Sequence, residues 1–330
     1  MKYAAPTWLK GAHAQTIWPL LIKGPLPHFT RKRWKTPDED FIDLDFLPHR
    51  EGKPLVVLFH GLEGSSRSHY ARALMRLLED EEWNGVVVHF RGCSGHPNRL
   101  PRAYHSGDAD EIDWILRRFA RKYSGIPRYA VGFSLGANAL LCWLGSRRES
   151  AKNLLSGAAA VSAPLDLFAA GHHLAQGFNQ IYTRHFLSSM RRMAAQKARS
   201  FPGRFDALKV SQARTLEDFD EAYTAPLHGF RSAEDYWRRA SAKPLLSSIR
   251  LPTLVLNARN DPFLPPHALP AQDQVSGYVR LEIPDEGGHV GFVTGTFPGH
   301  LDWLPMRLLR FFRKTDSDWD HAKVLITPPG

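Results

Sequence analysis

Cysteine is nearly missing from this chain, and so is any long apolar run. Only Cys93 and Cys142 occur among 330 residues, so no disulfide framework is implied. The apolar run over residues 16–22 stops far short of the roughly 20 residues that span a bilayer. The opening residues, Met1-Lys2-Tyr3-Ala4-Ala5-Pro6-Thr7-Trp8, lack the continuous apolar centre of a signal peptide. A soluble, cytoplasmic protein is the expectation. There is no internal repeat, low-complexity segment, zinc-finger spacing, RNP-like segment or basic heptad array, so nucleic acid is not an expected partner. The adjacent pair His172-His173 has no third or fourth ligand at suitable spacing, and no metal or cofactor is called for.

What is present points to a large α/β protein. Apolar residues make up 43% of the chain, enough for a sizeable core. The net charge is +10. Its densest basic stretch, residues 184–214, holds eight Lys or Arg against the single acid Asp206. A solvated basic face is the first reading of that run, contact with anionic lipid or an anionic substrate the second. No obligatory protein partner is evident.

Hydrophobic patterning gives the architecture. Residues 41–47 alternate, with Ile42, Leu44 and Phe46 on one face, and read as an edge antiparallel strand. Residues 54–59, 85–90, 129–133 and 157–162 are largely apolar runs, as expected of strands buried on both faces. Helical stripes separate them, at 70–78, 108–123 and 135–147. That alternation predicts a mostly parallel central sheet flanked by helices. The rhythm breaks at Pro164 and resumes at Leu251, and the last strand and helix fall near 277–283 and 303–312. The expected organisation is a core of residues 1–164 and 249–330 with a helical insertion, 165–248, projecting over the strand ends as a lid. Phe168, Phe178, Ile181, Phe186 and Phe219 of the insertion suit an acyl chain, though ordinary packing asks for the same residues.

The chemistry centres on Gly132-Phe133-Ser134-Leu135-Gly136. A strand runs into it and a helix runs out, which makes it a nucleophile elbow. Ser134 at the tip needs a strained backbone, and its neighbours two residues away must be small. The turn leaves the Leu135 amide free at a helix N-terminus, where developing negative charge is stabilised. A serine hydroxyl needs a base. Of sixteen histidines, His289 in Glu286-Gly287-Gly288-His289-Val290-Gly291-Phe292 follows the last strand directly. The orienting acid is expected after the strand before it, where Asn260-Asp261-Pro262 supplies Asp261. Asp285 and Asp166 are reserve acids. The Leu62 amide, in His60-Gly61-Leu62-Glu63-Gly64, is the second oxyanion donor beside Leu135. His105 and Asp110 form a His-x-x-x-x-Asp spacing associated with some acyltransferases, but a single pair arises easily by chance. Cys142 reads as a small buried residue.

With these residues in hand, the chain resembles the α/β-hydrolase superfamily, and within it the YheT-like group, the AB hydrolase 4 family. The likeness spans nearly the whole chain: the His13-Ala14-Gln15-Thr16 core, His60 to Gly64, Arg91-Gly92-Cys93-Ser94-Gly95, Tyr104-His105-Ser106-Gly107, the elbow, Thr224-Ala225-Pro226, Asp235-Tyr236-Trp237, Asn260-Asp261-Pro262 and the Gly287-Gly288-His289 loop. The order Ser134, Asp261, His289 is that of α/β-hydrolases. The resemblance implies the α/β-hydrolase fold, a serine hydrolase with carboxylesterase or acylglycerol-lipase activity, and those three residues as its triad. It leaves the natural substrate open. Thioester or amide hydrolysis, or acyl transfer, would keep the fold and change the chemistry. A non-catalytic binding protein is the reading from another class, against which the intact Ser, His and Asp set argues.

Overall fold

The computed structural model describes residues 2–324. Eight strands form one sheet: β1 Thr30–Lys35, β2 Phe41–Phe46, β3 Leu55–Phe59, β4 Asn84–Val88, β5 Arg128–Phe133, β6 Gly157–Val161, β7 Thr253–Leu256 and β8 Val279–Glu282. Their order is β1-β2-β4-β3-β5-β6-β7-β8. β1, β2 and β4 pair antiparallel; from β4 onward every neighbour is parallel.

Eleven α-helices accompany the sheet among the described residues: α1 Ala12–Ile17, α2 His69–Asp80, α3 Ala109–Lys122, α4 Leu135–Arg147, α5 Leu167–Leu174, α6 Gln180–Ser200, α7 Ala207–Gln212, α8 Leu216–Phe219, α9 Ala225–His228, α10 Ala233–Ala240 and α11 Trp303–Val324. The period of two explains the layers. Leu55, Val57 and Phe59 of β3 face the core shared with α3 and α4. Val56 and Leu58 face the opposite core with Leu74 and Leu78 of α2 and Leu308 of α11. Both faces are covered, so the run had to be apolar throughout. α2 buries His69, Ala71, Leu74, Met75 and Leu78, one stripe at helical spacing. α3 starts on Asp108, whose side chain accepts the Glu111 amide. α4 is buried from Gly136 to Gly145 without a polar face, as befits the central helix.

The edge was misread from sequence. β2 is not the edge strand: β1, Thr-Arg-Lys-Arg-Trp-Lys, lies outside it. β1 hides because only Trp34 of it is buried. Its signal is charge across the ladder. Arg31 stands opposite Asp45 and Arg33 opposite Asp43, and each arginine grips its aspartate with two hydrogen bonds. Between β6 and β7 the described residues hold no strand; they form α5 to α10.

Asp45 also accepts from Ser66 at 2.6 Å and from His89 at 2.9 Å, so it ties the loop after β3 to β2 and β4. Burial pushes its carboxyl up, but the hydrogen bonds from Arg31, His89 and Ser66 prevail and hold it well below the usual carboxylate range. Asp38 is held down to about 2 against the same burial, by Arg91 and Thr36. A depressed carboxyl binds fewer protons folded than unfolded, so its stabilisation is present above about pH 4 and is lost as pH falls toward 2. Asp45→Asn should therefore cost about 2 kcal/mol at pH 7, and should lose less on going to pH 3 than the parent does. Urea unfolding at both pH values checks this; equal acid losses in the two proteins would contradict it.

Candidate active site

The elbow is strained as its sequence requires. Ser134 sits at φ 50°, ψ −119° between β5 and α4. A Cβ on Gly132 would lie 2.4 Å from Ala137 Cα, and one on Gly136 would lie 2.4 Å from the His60 carbonyl oxygen. Both clashes are with backbone, so neither glycine has a substitute. The Ser134 amide donates to Val161 O at 2.9 Å, which extends the β5–β6 ladder into the turn.

The structure brings three distant residues together. His289 Nε2 lies 2.9 Å from Ser134 Oγ. His289 Nδ1 lies 2.8 Å from Asp261 Oδ2 and 3.1 Å from Oδ1. Asp261 Oδ1 also accepts the Phe263 amide at 2.8 Å. With Asp261 accepting at Nδ1–H, the neutral imidazole offers its Nε2 lone pair to the serine hydroxyl. Asp261 is buried and His289 nearly so. Phe263 stacks on the imidazole with ring centroids 3.8 Å apart and 14° between planes.

Leu62 and Leu135 line the same cavity as Ser134. The loop carrying Leu62 is pinned from several sides. Tyr70 Oη accepts the Gly61 amide at 2.9 Å, and a Cβ on Gly61 would stand 3.1 Å from that of Ser134. His60 accepts the Phe90 amide at Nε2, 3.1 Å, and so carries its proton on Nδ1, which donates to Gly61 O at 2.7 Å. Burial, with nearby His89, lowers its pKa to about 3 and keeps it neutral.

The loop around His289 is held by residues that pattern reading alone gave no role. Gln15 Oε1 accepts the Gly287 amide at 2.8 Å and Asn260 Nδ2 at 3.0 Å. Asn260 Oδ1 accepts the Gly288 amide at 3.0 Å, and Thr16 Oγ1 accepts that of His289 at 2.9 Å. Ser162 Oγ takes the Val290 amide at 3.0 Å, and His69 Nε2 donates to the Val290 carbonyl at 2.9 Å. A Cβ on Gly291 would stand 2.1 Å from the Gln15 carbonyl oxygen. The sequence signal was the glycine pair and the polar Gln-Thr inside an otherwise apolar start, but the contact spans some 270 residues.

The other candidates lie elsewhere. Asp285 is exposed and pairs with Arg259 at 3.2 Å; Asp166 caps α5 through the Ala169 amide. Asp110 is exposed on the first turn of α3, whereas His105 packs on His228, Phe230 and Tyr236. His172 faces Glu217 at 3.6 Å, and the described residues hold no group of three His, Cys, Asp or Glu that could bind a metal. Cys142 is buried, its thiol pushed up to about 12 by that burial.

A cavity of about 930 Å³, a figure that takes in its open mouth, lies over Ser134. Leu167 and Leu174 of α5, Met190 of α6, Leu216 and Phe219 of α8, and Trp237 of α10 line it. Asp220 lines it as well, and burial raises its carboxyl to about 6 against hydrogen bonds from Thr224 and Trp237. Of the five residues of the insertion expected to meet an acyl chain, Phe186 and Phe219 line the cavity; Phe178 and Ile181 are exposed outside it, and Phe168 packs on Trp237. The basic run divides too. Arg192 is exposed, but Lys197 is buried, its ammonium donating to the carbonyls of Leu100, Pro101 and Arg102. Arg191 donates to the Ala213 carbonyl.

Sheet order, elbow and the Ser-His-Asp geometry define an α/β-hydrolase. The alpha/beta hydrolase fold family matches residues 54–296, and the chain belongs to it. It is similar to YheT of Escherichia coli (strain K12), with 38% identity over 304 residues covering 90% of this chain and 88% of that one. It is also similar to phospholipase ABHD3 of Mus musculus, with 29% identity over 313 residues, 92% of this chain and 76% of that one. The solved structure of the Pyrococcus furiosus esterase Pf2001 aligns with a TM-score of 0.55 at 16% identity, covering 87% of this chain and 92% of that one, a likeness of fold. No helix among the described residues is long and apolar enough to cross a membrane.

The Gln15 clamp makes a prediction. Gln15→Ala leaves the Gly287 amide without its acceptor, at a local cost of about 1.5 kcal/mol or roughly tenfold in opening. Amide exchange over residues 287–292 should quicken by that factor while β3 and β5 stay protected. Unchanged exchange in the loop would show that Gln15 does not hold it.

Proposed function

We propose that the protein is a serine-dependent carboxylic-ester hydrolase of esterase or acylglycerol-lipase type. The observation that carries this is the hydrogen-bonded chain Ser134–His289–Asp261 at the floor of a largely apolar cavity. Ser134 Oγ attacks the ester carbonyl carbon as His289 Nε2 takes its proton. Asp261 holds the imidazole in the required tautomer and stabilises the imidazolium. The carbonyl oxygen becomes an oxyanion, and the amides of Leu62 and Leu135 donate to it, each worth about 3 kcal/mol in the transition state. His289 returns the proton to the departing alcohol, leaving an acyl-Ser134. Water then repeats the sequence, deprotonated by His289, and releases the acid.

Residues 165–248 serve as the lid. Its cavity-lining side chains shelter an acyl chain, and exclusion of water strengthens the oxyanion hole. Phe263 adds a flat apolar wall against the imidazole. The likeness to a mouse phospholipase supports a lipid ester as the substrate class.

Three variants and one substrate series test the reading. Ser134→Ala should lower ester turnover by on the order of a millionfold without loss of folding. Asp261→Asn should lower it by about 10⁴-fold, and Asp285→Asn should leave it nearly unchanged. The reverse ranking of the two aspartates would overturn the assignment of the acid. Along p-nitrophenyl esters, kcat/KM should rise by up to about fourfold per added acyl carbon, since each buried methylene is worth about 0.8 kcal/mol. Faster cleavage of matched thioesters or amides would move the reaction class within the same fold.

A further inference from the structure

The segment that clamps the histidine loop has an outer face, and that face is apolar. Leu20 is 54% exposed and Leu21 70%. Phe297, 70% exposed, lies 5.4 Å from the Trp8 ring and 5.7 Å from Trp18. Phe178 at the start of the lid, 52% exposed, packs on the His13 ring at 4.4 Å. Trp8, Trp18 and Phe297 thus form one aromatic group at the loop at 297, and His13 with Phe178 a second at the insertion, both on the N-terminal segment that carries Leu20 and Leu21. Single exposed apolar residues need no explanation, whereas grouped sets mark interaction surfaces.

Charge selects the occupant. Residues 1–29, the segment before β1, hold Lys2, Lys10 and Lys23 and no Asp or Glu. Arg72 donates to the Gly24 carbonyl at 2.9 Å, which puts a further cation at the root of the exposed leucines. The acids near the set are engaged: Asp302 pairs with His300 at 2.9 Å, and Glu286 accepts from Gln15 at 3.3 Å. Exposed aliphatic residues beside tryptophans, with a basic surround, suit the headgroup layer of an anionic membrane. The set also abuts the reaction centre. Phe178 touches His13, His13 Nδ1 lies 3.0 Å from Tyr182 Oη, the Tyr182 ring is 4.9 Å from Phe263, and Phe263 stacks on His289.

We propose that Leu20 and Leu21, with Phe178 and Phe297, form a docking face for an anionic lipid surface and seat the active-site cavity beside the bilayer. The docking needs no turnover; its use in drawing a lipid ester into the cavity rests on the function proposed above. This face differs from the basic run of the lid, whose Lys197 is spent on backbone carbonyls.

The test is co-sedimentation with vesicles of phosphatidylcholine plus phosphatidylglycerol, against phosphatidylcholine alone. The parent and Ser134→Ala proteins should bind the anionic vesicles alike, and salt should weaken the binding. The double variant L20S/L21S should bind about tenfold or more weakly, while hydrolysis of a short soluble ester stays within about twofold of the parent. Leu21→Trp should bind the anionic vesicles more tightly than the parent while staying in the supernatant without vesicles, which separates the gain from aggregation. A parent that ignores anionic vesicles, or a double variant that binds as the parent does, overturns the proposal. Vesicle binding without any ester hydrolysis would leave the docking face standing and sink the reading of Ser134.

Discussion

The structure depends on one strained turn. Ser134 is held at positive φ between two glycines that admit no side chain. Such a conformation costs on the order of 1–3 kcal/mol and survives only where its surroundings over-determine it. Here they do. β5 enters the turn paired on both sides, with β3 and β6. α4 leaves it buried along most of its length. The sheet and its central helix together hold a hydroxyl in the open that a relaxed chain would fold away.

The same economy of strain recurs around it. Eight non-glycine residues among those described have positive φ, and five of them, Glu63, Ser134, Ser162, Val290 and Phe292, belong to the site or the loops that frame it. Val290 is β-branched, for which this region is a genuine outlier. It is kept there by Ser162 on its amide and His69 on its carbonyl. Gln15, Thr16 and Asn260 hold the preceding three residues. The imidazole is therefore positioned by four separate stretches of chain before any substrate arrives, which is what preorganised catalysis requires.

How much of this was legible depended on how local each cause is. β3, β4 and β5 could be read because strands covered on both faces are continuously apolar. The elbow could be read because its glycines answer to neighbours two residues away. β1 could not, since its arginines are paid back by aspartates on another strand. The helices of the insertion after β6 were visible, but which of their side chains face inward was not: Phe219 turns to the cavity while Phe178 and Ile181 turn out. Lys197 looked like a solvated cation and is a buried one, gripping three carbonyls a hundred residues away. Ser134, Asp261 and His289 were candidates by chain order and strand position, and the structure brings them within hydrogen-bonding distance. The Gln15 clamp is the opposite case, where a quiet motif matters through a contact that only folding creates.

The central claim is that the turn makes one serine, and no other, nucleophilic. Incubation with a fluorophosphonate followed by peptide mass mapping tests it most directly. The account predicts stoichiometric phosphonylation of Ser134 alone, abolished by unfolding in urea and by His289→Ala. Modification of a different serine, or labelling of Ser134 that persists without His289 or without the fold, would contradict it.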